Sequence, residues 1–371
     1  MERNNNTFFS NRAIFSIVVF VCFILVGAVL RIASPVILPF VIAVLLTFVM
    51  YPLVRWMDKR KVPNFLSILL VVIILVTGLG VVGVVIFTSG SNIIAVYPKY
   101  EGRVTEIYMW MGQFFDLSYD EYLSIWENIW SQLGVRIWVR NFALTFTNVI
   151  IMFIGNAVLV ILFVVFILLE ANFFTQKLEA AFAKRSGDIH RIGLDLMTQV
   201  MRYLTAKFFI SLANGVIFAV AFHFIGLEFA ILWGIIQFFL NFIPNLGSIT
   251  AGVAICLFAL IQFWPEPGPV IMVIAVVLIV NLILCNIFDP KIVGDRVGIS
   301  PLMVLVSLAI WGWIWGFAGM VLAVPMTVIV RIICENIPLL QPVSIIIGSR
   351  KSVQAKIIEQ EEKEEVKREV N

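Results

Sequence analysis

Polar side chains surround a helix break within an apolar region in the last third of the chain. Residues 241–250 read Asn-Phe-Ile-Pro-Asn-Leu-Gly-Ser-Ile-Thr. Pro244 and Gly247 interrupt the helical hydrogen bonds, which leaves backbone N–H and C=O groups without partners. Amide and hydroxyl groups around the break belong to Asn241, Asn245, Ser248 and Thr250. These groups can cap the broken backbone or bind the hydroxyl groups of a small polar substrate, so the pattern predicts either a capped kink or a binding site.

A second break follows at residues 311–316, which read Trp-Gly-Trp-Ile-Trp-Gly. Gly312, Gly316 and Gly319 let two stretches of backbone approach closely, and Pro325 is expected to kink the returning half. Two broken apolar segments in corresponding halves of a membrane protein indicate the binding site of a carrier near the middle of the bilayer. We therefore favour a binding site over a simple kink.

Amide and ionisable groups lie between the two breaks. Asn281 and Asn286 are expected to face the substrate from the side opposite the first break. The stretch Asp289-Pro290-Lys291-Ile292-Val293-Gly294-Asp295-Arg296 lies at a membrane boundary. Its carboxylates either pair with the neighbouring bases or, at Asp289, carry a proton or bind a cation. The candidate coupling or locking residues are Asp289, Asp295, Arg296 and His223, since ionisable groups within or beside apolar segments are often functional.

No pattern in the chain predicts enzymatic chemistry. The sequence contains no HExxH, GxSxG or GxxxxGK[ST] motif. Gly78-x-Gly80-x-x-Gly83 lies inside an apolar helix and not after a strand, so it indicates close helix packing and not dinucleotide binding. The four cysteines form no CxxC pair, and there are only two histidines. We therefore expect neither enzyme activity nor a metal or other cofactor.

The elements that must position these residues are membrane helices. Hydrophobic residues make up 61% of the 371 residues and charged residues 13%, compared with about 45–50% and about 25% in soluble proteins. A water-soluble fold cannot bury so large an apolar fraction. The composition excludes a soluble enzyme, a disordered chain and a disulfide scaffold, and a net charge of +3 is too small to indicate nucleic-acid binding.

Six uninterrupted apolar runs can cross about 30 Å of hydrocarbon, namely 13–30, 35–51, 65–87, 142–169, 208–225 and 270–288. Two further regions, 229–263 and 301–333, are broken in the middle. Each is either a re-entrant hairpin or two short spans, and we favour hairpins, because half of the first region is only about 22 Å of helix. The predicted fold is an all-α polytopic membrane protein with about six full spans, two Pro/Gly-broken hairpins and a small helical outer insert, or eight to ten hydrophobic segments.

Positive charge predicts the orientation of these segments. With a cytoplasmic N-terminus, 21 of the 26 Lys and Arg residues fall on the cytoplasmic side, as the positive-inside rule requires. Both termini are then cytoplasmic. The predicted organisation is 1–87 with the first three spans, 88–141 as an extracytoplasmic helical insert, 142–169 as a long span, 170–207 as a cytoplasmic amphipathic segment, 208–337 as the transport core and 338–371 as a charged cytoplasmic tail.

The chain resembles the autoinducer-2 exporter (AI-2E) family of bacterial membrane transporters. The resemblance rests on Pro290-x3-Gly294, Ser300-Pro301, Gly316-x2-Gly319-x2-Leu322-Ala323-Val324-Pro325 and the upstream Ile243-Pro244-x2-Gly247, and on the layout of nearly the whole chain. It implies a location in the bacterial cytoplasmic membrane, export of autoinducer-2 or, in other branches, exchange of sodium or lithium for protons. It also implies a homo-oligomer, a pentamer, whose paired hairpins move as a carrier element.

The residues favour a secondary transporter that exports a small polar organic molecule by alternating access. Few carboxylates lie within the apolar runs, which suits a neutral substrate better than a cation that exchanges for protons. A sodium(lithium)/proton antiporter that depends on Asp289 is the main alternative. A non-transporting membrane scaffold that binds partners through its outer insert is the second.

Overall fold

The structure, a computed structural model, describes residues 18, 21–22, 24–114, 155–170, 186–244, 246–284, 299–336, 340–349 and 354. These residues are helical and contain no β-strand apart from one isolated bridge between Ile299 and Gly348. The helices are α1 (24–32), α2 (Ser34–Lys59), α3 (Asn64–Phe114), α4 (Gly155–Glu170), α5 (Ser186–Ile225), α6 (Ala230–Leu240), α7 (Leu246–Phe263), α8 (Pro267–Ile283), α9 (Pro301–Asn336) and α10 (Gln341–Ile347). The predicted all-α class is confirmed for this part of the chain.

Five of these helices contain a stretch that is long and apolar enough to cross a membrane. The stretches are Ser34–Lys59, Asn64–Ile93, Val200–Ile225, Leu246–Phe263 and Pro301–Glu335. Three shorter apolar helices, α4, α6 and α8, accompany them. The described residues thus form a multi-pass helical membrane protein, whereas the numbers of full spans and of hairpins stay predictions, since most of run 13–30 and the first half of run 142–169 lie outside the described residues.

Two helices run past boundaries that the sequence predicts. α3 continues for 51 residues, so that the beginning of the predicted outer insert, 88–114, extends the helix of the preceding span. α5 is one helix of 40 residues, and the boundary expected between 207 and 208 lies inside it. Its buried positions recur at helical spacing on both sides of that boundary, so nothing in the packing ends the helix there. The rest of the insert, 115–141, lies outside the described residues.

Two clusters of apolar side chains hold the helices together. The first apolar cluster combines buried residues of α2, α3, α4, the early part of α5 and α9. The second apolar cluster combines the late part of α5 with α6, α7 and α8. Helix α5 belongs to both, through Leu204 in the first cluster and through Phe218 and Phe222 in the second. The segment of α5 between Leu204 and Phe218 therefore lies between two apolar bodies.

Helix α9 reverses direction near its middle. The backbone leaves helical geometry only at Trp315 and Gly316, and Leu308 and Ala323 pack in one cluster although 15 residues separate them. In a straight helix they would lie about 22 Å apart, so 301–314 (α9a) and 317–336 (α9b) form an antiparallel hairpin. The apolar stretch of α9 is long enough for one membrane crossing, but the reversal divides it into two shorter antiparallel arms. The hydroxyl of Ser300 accepts the Met303 N–H at 3.3 Å, which confirms the predicted helix start at Ser300-Pro301.

Candidate functional site

The first predicted break separates two antiparallel helices, α6 and α7. The rings of Phe229 and Phe258 lie 6.0 Å apart at one end of this pair, while Leu240 and Gly247 touch at the other. Residues 241–244 are non-helical, and α7 begins at Leu246, earlier than the end of the break expected at 248. A side chain at position 247 would overlap the carbonyl oxygen of Leu240. Glycine therefore permits the first turn of α7 to pack directly against the last turn of α6.

The second break uses the same arrangement. A side chain at Gly319 would overlap the carbonyl oxygen of Trp311, and one at Gly312 would lie 2.9 Å from Met320 Cγ. The reversal itself falls on Trp315 and Gly316, later than most of the predicted 311–316 break, because Gly316 alone supplies the required φ of +61°. Pro325 is buried in α9b, whose backbone keeps helical φ and ψ angles.

The tip of the first hairpin packs against the two arms of the second. Ile243 from the first break forms one buried cluster with Leu308 of α9a and Ala323 of α9b. Leu240, Trp311 and Met320 pack against the edge of this cluster. The first break thus lies against the second hairpin in the fold, although Leu308 follows Ile243 by 65 residues in the sequence, and paired broken helices of this kind are typical of carrier sites.

Polar side chains line the interface between α5 and α6 beside these tips. On α5 the buried polar residues are Lys207, Ser211 and Asn214, and on α6 and its C-terminal end they are Gln237 and Asn241. We call these five residues the polar seam. The amide of Asn241 donates to the hydroxyl of Ser211 at 2.9 Å. The seam lies on α5 between the two apolar clusters, where polar groups are costly unless they have partners or a function.

Two members of the polar seam stand out by their surroundings. Asn214 and Gln237 are each 0% exposed, and neither the oxygen nor the nitrogen of either amide has a hydrogen-bond partner among the residues that the structure describes. The helices touch closely beside them, since a Cβ on Gly215 would lie 2.7 Å from the Gly234 oxygen. Contacts 215–234 and 211–241 fix the antiparallel register of the pair. That register places Asn214 and Gln237 at the same level.

Sequence reasoning identified only Asn241 among the seam residues. Lys207, Ser211 and Asn214 recur at positions i, i+4 and i+7, and Gln237 and Asn241 at i and i+4, which places each set on one helix face. This spacing was the available signal, because three polar residues on one stripe of an apolar helix are unusual. The stripe is hard to recognise in the sequence, because Lys207 falls in the segment 170–207 that is predicted to be cytoplasmic.

The other predicted site residues differ in placement. Ser248 on α7 and Asn281 on α8 are half-buried, and the Asn281 amide nitrogen would lie 3.8 Å from a Cβ on Gly252, one turn beyond Ser248. Thr250 is exposed and His223 is exposed on the last turn of α5, so neither joins the polar seam. Asn245, Asn286, Asp289, Asp295 and Arg296 lie outside the described residues.

A network of polar contacts ties α3 to the base of the first hairpin, where α6 begins and α7 ends. Lys99 Nζ lies 2.6 Å from Glu228 Oε1, and the Tyr100 hydroxyl donates to the other carboxylate oxygen. The Gln262 side chain accepts the Glu228 N–H at 2.8 Å and donates to the Gly226 carbonyl at 2.9 Å. Arg103 donates to the Trp264 carbonyl. We call these contacts the base network.

The base network shifts the titration of two of its members. Burial raises the pKa of the Tyr100 hydroxyl above its ordinary value, and the hydrogen bond to Glu228 and the charge of that carboxylate raise it further. Burial also acts to raise the pKa of Glu228, but hydrogen bonds from Lys99 and Tyr100, with the charge of Lys99, lower it overall. Glu228 is therefore ionised and Tyr100 neutral near pH 7, the states in which they bond best.

The chemistry available at the hairpin tips is hydrogen bonding. Over the part of the chain that the structure describes, no carboxylate side chain is buried, and no group of three His, Cys, Asp or Glu residues is placed to hold a metal ion. The polar seam offers amides, a hydroxyl and one ammonium group. Such groups bind and release polar molecules without covalent steps.

Known proteins resemble the chain over most of its length. The sequence profile described as "AI-2E family transporter" matches residues 14–339. A "Putative transport protein" of Haemophilus influenzae is 31% identical over 328 residues, which cover 85% of this chain and 90% of the relative. A protein of the same name from Borreliella burgdorferi is 29% identical over 89% of this chain and 90% of its own. The Escherichia coli K12 protein named "AI-2 transport protein TqsA" is 28% identical over 83% and 88%.

Proposed function

Because the chain belongs to the AI-2E family of membrane transporters, we propose that it is a secondary carrier that exports a small polar organic molecule. One relative is named as an AI-2 transport protein, so autoinducer-2 is the first substrate to test. The protein would lie in the bacterial cytoplasmic membrane with both termini inside, in line with its distribution of Lys and Arg.

The observation that carries this proposal is the packing of the first hairpin tip against the second hairpin, beside a buried polar seam. Ile243 of the first tip contacts Leu308 and Ala323 on the two arms of the second hairpin, and Asn241 connects the first tip to Ser211. Broken backbone and buried amides at membrane depth are costly, and a carrier has a use for both. The absence of a buried carboxylate among the described residues favours a neutral substrate over an exchanged cation.

The transport cycle would alternate the exposure of this region to the two sides of the membrane. Ser248 and Asn281 would meet substrate hydroxyls together with Asn241, and Asn245 and Asn286 would extend the same set. Asp289 would serve as the coupling or locking group, with Asp295 and Arg296 as its neighbours. Assembly as a homo-oligomer, a pentamer by family resemblance, would hold the mobile hairpins in a fixed frame.

Flux through proteoliposomes tests the proposal. The purified protein is reconstituted into liposomes that are loaded with autoinducer-2. Efflux of autoinducer-2 is then measured under imposed proton and sodium gradients. We expect efflux above that of protein-free liposomes and a reduction of about tenfold for the double substitution of Ser248→Ala and Asn281→Ala, since each removes a substrate hydrogen bond. Thr250→Ala is the matched control, because it removes an exposed hydroxyl two residues from Ser248.

Two results would contradict the proposal. Efflux equal to that of protein-free liposomes under every gradient would remove the carrier function for this substrate. A sodium-dependent pH change that disappears in Asp289→Asn would replace it with cation/proton exchange.

A further inference from the structure

The amides of Asn214 and Gln237 are the least explained groups in the described residues. Both side chains are fully buried, and all four of their polar atoms lack partners. An amide that loses its water without gaining a hydrogen bond destabilises the fold. Leucine or methionine at these positions would avoid that cost.

The neighbouring polar groups show that the fold can satisfy its amides where they are structural. Asn241, one turn from Gln237, bonds Ser211, and the amide of Gln262 makes two hydrogen bonds in the base network. The two unpaired amides lie instead at one level of the helix pair, between the 211–241 bond and the 215–234 contact. Their coincidence at one level argues for a shared ligand and against two separate packing defects.

We propose that Asn214 and Gln237 form a ligand site, sealed in this conformation, for a neutral molecule with adjacent hydroxyl or carbonyl groups. The proposal rests on the proposed function, since the ligand would be the transported substrate. Each amide presents an acceptor oxygen and a donor NH2, and a hydroxyl both donates and accepts. Two amides at one level of the helix pair therefore match a vicinal diol or a hydroxyketone.

The surroundings select against charged ligands. A bound cation would have no buried carboxylate to offset its charge, since the described residues hold none. The only buried charge on the seam is Lys207, two turns from Asn214, and it already takes part in an interaction of its own. Uncharged partners therefore fit the amide pair best, because the amides are themselves uncharged dipoles.

The ligand gains access when α6 separates from α5. In the sealed state the amide atoms have no accessible surface, and the closest contact beside them joins two glycines. When the two helices separate, the four amide atoms form hydrogen bonds with water or ligand, and the free-energy penalty of burying them without partners disappears. The sealed state is thereby less stable than its apolar contacts alone would make it, which favours exchange between closed and open forms.

Thermal melting of the purified full chain tests the site. The probes are autoinducer-2, ribose and dihydroxyacetone as neutral ligands, with lactate and choline as charged controls. We expect at least one neutral probe to raise the melting temperature of the wild type. The variant with both Asn214→Leu and Gln237→Leu is expected to melt at a higher temperature than the wild type without ligand, because it lacks the unpaired buried amides. Its affinity for the probe is expected to be at least about tenfold lower.

A matched control separates the site from a general effect of unpaired groups. Ser67 of α3 is also fully buried, and its hydroxyl has no partner. Ser67→Ala removes an unpaired polar atom outside the polar seam and is expected to leave the probe-induced shift unchanged. If the double leucine variant does not fold, Ser211→Cys with Asn241→Cys, in a chain without its four native cysteines, supplies a second test. Oxidation should then abolish the probe-induced shift, and reduction should restore it.

Three outcomes overturn the site. They are a probe-induced shift in the double leucine variant within twofold of the wild type, stabilisation by charged probes alone, and no stabilisation by any neutral probe. Flux in liposomes distinguishes this failure from that of the proposed function. Flux that persists in the double leucine variant would support the carrier function and contradict the ligand site. Probe binding that depends on Asn214 and Gln237, without any flux, would support the ligand site and contradict the carrier function.

Discussion

The two hairpins reverse the chain in the same way but are anchored at opposite ends. In each, a glycine (Gly247 or Gly319) packs against a carbonyl oxygen of the preceding helix. The second hairpin is fixed at its tip, where the Trp315 indole donates to the Leu30 carbonyl of α1 at 3.1 Å. The first is fixed at its base by the base network, and at its tip the polar contact to α5 runs through Asn241.

This contrast separates what a reversal requires from what a site requires. Both tips need glycine for the close approach of backbone, whatever surrounds them. Only the first tip carries amides, and only the second is flanked by tryptophans, of which Trp311 and Trp315 have their ring centroids 5.1 Å apart with the ring planes tilted by 39°. The second hairpin packs into the first apolar cluster, and the first hairpin carries the groups that can bind substrate.

The largest effect is expected where the hairpins are alike. Gly247→Ala and Gly319→Ala each place a methyl group onto a backbone oxygen, and each should lower the free energy of unfolding by about 3 kcal/mol. Chemical denaturation in detergent measures the change. Gly78→Ala is the control, because a Cβ there meets no atom within 4 Å. An equal loss in the control would show that the effect is not specific to the hairpin tips.

An intermediate effect should distinguish the two tips. Trp315→Phe and Asn241→Ala each remove one hydrogen-bond donor, and each should cost about 1 kcal/mol of stability. Autoinducer-2 flux, corrected for the amount of folded protein, should fall only for Asn241→Ala. Equal flux in the two variants would mean that the first tip has no special part in transport.

The smallest effect concerns the base of the first hairpin. The lowered pKa of Glu228 means that its contribution to stability is present above about pH 4.3, the ordinary value of a glutamate, and is lost as the pH falls through its folded-state value. Glu228→Gln should lower stability at pH 7 by about 0.2–1 kcal/mol, because the pair with Lys99 is partly exposed. The melting temperatures of the wild type and of Glu228→Gln, measured between pH 3 and pH 7, should become equal at the acidic end of this range. Curves that stay parallel would contradict this role of the carboxylate.

The sequence allows the helical class and both breaks to be predicted, because Pro244 and Gly316 act on the backbone locally. It does not reveal the continuation of α3 past residue 87, since Pro98 and nearby polar residues resemble a loop although the helix tolerates them. The amides of Asn214 and Gln237 escape notice for another reason. Gln237 is a single polar residue in an apolar run, Asn214 lies on the α5 stripe with Lys207 and Ser211, and only the register of α5 against α6 brings the two amides together.

The unbroken course of α5 determines how the polar seam can open. A helix of 40 residues packed into both apolar clusters does not bend between Leu204 and Phe218 without disrupting one of them. Because α6 also packs into the second apolar cluster, we expect the seam to open about the short connection to α6, near which the contacts move least. Gly226 and Phe229 in that connection adopt φ values of +84° and +60°. We expect α6 and α7 to rotate together about this connection while α5 stays in place.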